Sequence, residues 1–117
     1  MKNAFVISLV YGLLFSATSL YAETLSDIHK KELTLFGMKA MNLNVDMAQV
    51  KKVLTTQEVH KMIKTGLNLN GHLCAELVEI RPLKVESTYE ATCVAYRDGT
   101  AKKQYIIDAL NGVAFVP

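Results

Sequence analysis

Cys74 and Cys93 lie on either side of Pro82-Leu83-Lys84, each in a stretch that reads as a β-strand, and no other feature limits the fold as much. From Val85 to Arg97 the odd positions Val85, Tyr89, Ala91, Cys93 and Ala95 alternate with Glu86, Thr88, Glu90 and Thr92, the pattern of a strand with one buried and one wet face. His72 to Arg81 reads as its partner. If Arg81 and Glu86 close a four-residue loop, Cys74 falls opposite Cys93. In that register the two form a non-hydrogen-bonded pair, where side chains approach most closely, on the side of Val78, Ile80 and Tyr89. Two separate thiols and a redox dithiol are the alternatives; the absence of C-x-x-C and the facing register favour a structural disulfide.

Two further turns extend the hairpin into a meander. Asp98-Gly99 separates the second strand from a third at Lys103 to Ala109, and Asn111-Gly112 separates the third from a short fourth at Val113 to Val116.

The first half of the chain has a different texture. Met38, Met41, Met47 and Met62 all precede residue 66, whereas Tyr89, Tyr96, Tyr105 and Phe115 follow it, so the first half should be helical and the second stranded. Ser26 or Asp27 is placed to cap a helix carrying Ile28, Leu35, Phe36 and Met38, with Gly37 weakening its end. Asn44 or Asp46 opens a short second turn with Met47, Val50 and Val53. Thr55-x-x-Glu58 is a capping box, Val59, Met62 and Ile63 share one face, and Gly66 is placed to stop a helix over residues 56 to 65 that packs on the sheet.

Ahead of all this lies an export signature. Lys2 is followed by an uncharged stretch from Ala4 to Phe15 and by a run of small and polar residues ending at Ala22. Residues 1–22 therefore read as a signal peptide cut after Ala22, with Ser19 the other candidate, and the apolar core is shorter than the roughly 20 residues that span a bilayer. The expected organisation is one α+β domain over residues 23–117. Its helices, a helical segment over 23–54 and the helix that opens 55–116, pack on a three- to four-stranded antiparallel meander stapled by Cys74 and Cys93. An oxidising compartment, periplasmic or extracellular, suits that staple.

Composition removes several function classes. The sequence has 13 Lys and Arg against 11 Asp and Glu, and losing the signal removes only Lys2 from that balance. The doublets Lys30-Lys31, Lys51-Lys52 and Lys102-Lys103 have no interleaved aromatics, so nothing offers nucleic-acid bases a stacking platform. No stable membrane insertion is expected once the signal is removed.

Over residues 55 to 116 the arrangement resembles the PepSY domain. Tyr89-Glu90-Ala91, the Asp98-Gly99 turn and Tyr105-Ile106-Ile107-Asp108-Ala109-Leu110-Asn111-Gly112-Val113 match its pattern of Y-E-V, D-G and Y-x-V-x-(V/I)-D-A-x-(T/N)-G-x-V. The cysteine pair and the lack of Pro-Gly after the helix depart from it. The resemblance implies a protein-binding or protease-restraining role and no catalysis.

Chemistry-bearing groups are sparse beyond the signal. Ser26 and Ser87 are the serines there, no G-x-S-x-G elbow occurs, and His29, His60 and His72 have no carboxylate at an informative spacing, so no catalytic residue is assigned. His72 shares a strand face with Cys74, but the bridge consumes the thiol. Met38, Met41 and Met47 with His29 or His60 are compatible with a soft Cu(I) site, yet methionines at helical spacing ordinarily fill a core; no metal site or cofactor is assigned. Glu76, Glu79, Glu86 and Glu90 read as solvated charges on the hairpin. The expected function is an exported, non-enzymatic module that binds an exported protein or peptide. The alternative is a periplasmic small-molecule or metal carrier.

Overall fold

The computed structural model describes residues 25–117, so the proposed signal peptide at 1–22 lies outside the described residues. Its elements run α1 (Asp27–Ala40), a 3-10 turn (Met47–Gln49), α2 (Thr56–Leu69), β1 (Glu76–Pro82), β2 (Thr88–Val94), β3 (Lys102–Asp108) and β4 (Val113–Phe115). The strands form one antiparallel sheet in the order β1-β2-β3-β4, an α+β meander.

Both helices begin where their side chains satisfy the first backbone N–H groups. The Ser26 hydroxyl accepts from the His29 N–H at 3.2 Å, and the Thr55 hydroxyl accepts from the Glu58 N–H at 3.1 Å while Glu58 Oε1 accepts from the Thr55 N–H at 2.9 Å. The short turn opens at Asp46, whose N–H donates to Gln49 Oε1 at 2.9 Å.

Neither glycine ends its helix. α1 continues through Gly37 to Ala40 and α2 through Gly66 to Leu69. A Cβ on Gly66 would stand 2.4 Å from Cε2 of Phe36, and one on Gly37 would stand 2.9 Å from the Met62 carbonyl oxygen. Close contact between the two helices requires a missing side chain at both places, which outweighs the helix propensity that glycine forfeits. Residues Leu33 to Gly37 are all buried, so α1 lacks the one-sided stripe expected of it, and Ile28 is exposed. Thr34 tolerates burial because its hydroxyl donates to the Lys30 carbonyl at 2.8 Å.

Leu33, Phe36, Val59, Ile63 and Leu67 from the helices meet Ile80, Tyr89, Ala91, Cys93, Tyr105 and Ile107 from the sheet in one core. The alternation on β2 is as expected, with Tyr89, Ala91 and Cys93 buried and their neighbours partly exposed. On the opposite face Arg81 pairs with Glu90 at 2.7 Å across β1 and β2.

The hairpin register differs from expectation. The Leu83 N–H donates to the Thr88 carbonyl at 3.0 Å, so the four-residue loop is Lys84 to Ser87, two positions later than the loop between Arg81 and Glu86. Pro82 is thus inside β1, opposite Tyr89. β1 is an edge strand, and with Leu83 facing β2 its neighbour Pro82 occupies the alternate, outward position, where a missing N–H costs no ladder bond. A bulge between Leu77 and Glu79 then resets the pairing, leaving Val78 exposed rather than beside the cysteines. The ladder partner of Cys93 is Leu77, not Cys74.

The final hairpin also departs from a two-residue turn. Asp108 and Val113 are paired around four residues, and within that loop Gly112 takes the left-handed conformation, φ 70°. Gly112 is also buried against the stem of Lys39, where a Cβ would stand 2.4 Å from that residue's own Cβ.

Candidate functional site

The expected disulfide joins Cys74 and Cys93, with 5.1 Å between their Cα atoms. Its geometry has a different origin from the one anticipated. Cys74 precedes β1 and is aimed inward by Asn68 at the end of α2. The Asn68 Oδ1 accepts the Cys74 N–H at 3.0 Å and Nδ2 donates to the Cys74 carbonyl at 2.9 Å. A side-chain amide thereby stands in for the missing strand partner.

The histidines are dispersed. His60 is on α2, where partial burial pushes its imidazole below the usual range. The His72 ring lies 4.8 Å from that of Tyr105, its Nε2 is 2.8 Å from the Ala114 carbonyl, and the Tyr105 hydroxyl donates to the Leu73 carbonyl at 2.8 Å, so these groups tie the loop after α2 to β3 and β4. Among the described residues no three His, Cys, Asp or Glu side chains gather closely enough to hold a metal ion. Met41 is exposed, and Met62, not Met38 or Met47, fills the contact at Gly37. Glu90 is paired with Arg81, and Glu86 lies in the hairpin loop rather than on a strand, so the four glutamates do not form one strip.

His29 and His72 each line an opening, about 290 Å³ beside His72 and a larger one beside His29. A cleft of about 490 Å³ separates α1 from the β1–β2 loop, lined on the helix by Ile28, His29 and Glu32 and on the hairpin by Pro82 to Lys84 and Glu86 to Tyr89. Three- and four-residue spacing places Ile28, His29 and Glu32 on one helix face. The His29 Nδ1 accepts the Ser26 N–H at 3.2 Å, which leaves the proton of the neutral ring on Nε2, and the ring meets that of Tyr89 edge-on at 5.7 Å.

Glu32 organises the cleft. Its Oε1 accepts from the Tyr89 hydroxyl at 2.6 Å and its Oε2 from the Ser87 hydroxyl at 2.8 Å. Burial, that hydrogen bond and the glutamate charge together push the Tyr89 phenol far above its ordinary range, so it remains a donor at any ordinary pH. Ser87 reaches Glu32 from a left-handed backbone, φ 63°, held by the Ala109 N–H on its carbonyl at 3.0 Å. A β-carbon makes that conformation costly, and it is retained at the one position of the loop whose hydroxyl bonds the helix. At the loop tip Val85 is 69% exposed, and Ile28 on the helix is 52% exposed.

No family model matches the chain, and no curated protein or solved structure matches it. The sequence alone did not bring Glu32, Ser87 and Tyr89 together. Separations of 55 and 57 residues leave no local pattern, and the only hint is that His29 and Glu32 lie one helical turn apart.

Proposed function

We propose that this chain is an exported, non-enzymatic protein-interaction module whose α1–hairpin cleft receives a segment of an exported polypeptide. The cleft itself carries the reading. It is open and preorganised by the Glu32 hydrogen bonds, and the nearby Ile28 and Val85 are apolar side chains that gain by being covered. The space between helices and sheet is filled by the core, which favours surface recognition over an internal cargo site. The disulfide suits an oxidising compartment, and no helix among the described residues is long and apolar enough to cross a membrane. The resemblance to PepSY domains points to the same class of role.

The test is affinity capture from an extract of exported proteins, with Val85→Asp as the comparison. A stoichiometric protein retained by the wild type and lost by the variant supports the module. A copurifying metal ion or small molecule with no protein overturns it in favour of the carrier reading, for which the cleft volume is also adequate.

A further inference from the structure

We infer that the α1–hairpin cleft is selective for a lysine side chain, with the ammonium of the incoming polypeptide seated on the Glu32 carboxylate. This rests on the proposed polypeptide-binding role and adds the chemistry of recognition.

Both hydrogen bonds to Glu32 come from neutral hydroxyls, so they orient the carboxylate without cancelling its charge. Among the described residues the only ion pair is Arg81–Glu90, on the other face of the sheet. Glu32 is therefore a fixed carboxylate on the cleft wall with no direct ion-pair partner among the described residues, and each of its oxygens keeps acceptor capacity. The rest of the lining leaves that sign unchanged, since its one carboxylate and its one ammonium offset each other. Glu86 contributes a second carboxylate and Lys84 the one ammonium, both exposed on the loop. An anionic guest would meet two carboxylates against one ammonium, and the ligand set for a bound metal ion is absent among the described residues.

Tyr89 and Ser87 each take one acceptor site of the carboxylate, and a compact ammonium with three rotatable donors adapts to whichever sites remain, whereas a guanidinium needs two of them side by side. Pro82, Leu83 and Ile28 supply apolar surface for a lysine stem.

The test uses the protein purified after export, labelled with nitrogen-15, and two blocked peptides, Ac-Gly-Val-Lys-Val-Gly-NH2 and the same peptide with norleucine for lysine. The lysine peptide is expected to shift the Ile28, Ser87 and Tyr89 amide signals, with the norleucine peptide at least about tenfold weaker. Glu32→Gln should reduce the lysine peptide to the norleucine level, and Lys84→Glu should strengthen it. If Glu32→Gln fails to fold, a salt series on the wild type decides: the lysine peptide must weaken with ionic strength more than its analogue does. Equal binding of both peptides overturns the ammonium site while leaving the polypeptide role standing. Absence of shifts at the cleft also overturns it, and capture with Val85→Asp then judges the broader role independently.

Discussion

Asn68, in the last turn of α2, holds Cys74 by both its backbone N–H and its backbone C=O. A single side chain thus sets the position of one half of the only disulfide. Asn68→Ala should lower stability by about 1–3 kcal/mol, the usual cost of leaving partly buried backbone groups unpaired, and slow oxidative refolding. Urea unfolding of the oxidised protein and the rate of thiol loss during refolding measure the two effects; an unchanged urea midpoint would contradict the clamp.

The disulfide closes a loop between residues 19 apart. In the chain-entropy model such a loop is worth about 3 kcal/mol. The Cys74→Ser, Cys93→Ser double variant is therefore expected to unfold at markedly lower denaturant than the oxidised wild type. Equal midpoints would remove its structural role.

Gly66 is expected to resist replacement even by alanine. In an exposed helix interior Gly→Ala gains about 1 kcal/mol, but here the new Cβ collides with the Phe36 ring, and overpacking of that kind costs about 1–3 kcal/mol. Gly66→Ala should lower the melting temperature, and adding Phe36→Leu should recover part of the loss if the collision is the cause.

Two groups make stability fall on the acid side. Burial lowers the folded imidazole of His60, so the unfolded chain binds its proton first. The stability held in that neutral ring is full above the ordinary value of 6.5 and declines as pH drops below it. Glu58 acts at lower pH. Its carboxyl is held down by hydrogen bonds from Thr55, so its contribution is present above the ordinary value of 4.5 and is lost as pH falls through the folded value. Melting temperature against pH should decline in both windows, and His60→Gln should flatten the upper one alone.

Tyr89 produces the opposite limb. Its folded phenol stays protonated where an unfolded tyrosine ionises, so stability should decline as pH rises above the ordinary value of 10. In an ultraviolet titration the last phenolate is expected to appear together with unfolding. Tyr89→Phe should cost about 1–2 kcal/mol by leaving Glu32 one donor short.

Local chemistry explains what was legible. Ser26 and the Thr55–Glu58 box act within one turn of chain, as do the turns at Asp98-Gly99 and Asn111-Gly112, so their elements appear close to where the residues place them. The misplaced details depend on neighbours distant in sequence. Gly37 and Gly66 read as weak points because their propensity is visible and Met62 and Phe36 across the crossing are not. Pro82 reads as a break because its place on an edge strand is a property of the assembled sheet. The two cysteines join as the strand pattern suggests although the hairpin forms in a different register, because a bulge at Val78 and the Asn68 clamp together bring the sulfurs close.

Because Cys74 stands ahead of the ladder, the sulfur bridge does not fasten the legs of the hairpin, which keep each other by hydrogen bonds of their own. It moors the exit of the second helix to an interior strand. A reductant should therefore slacken the passage from α2 to β1 while the shared core keeps the helices on the sheet, and hydrogen exchange would register the release first around residues 70 to 75.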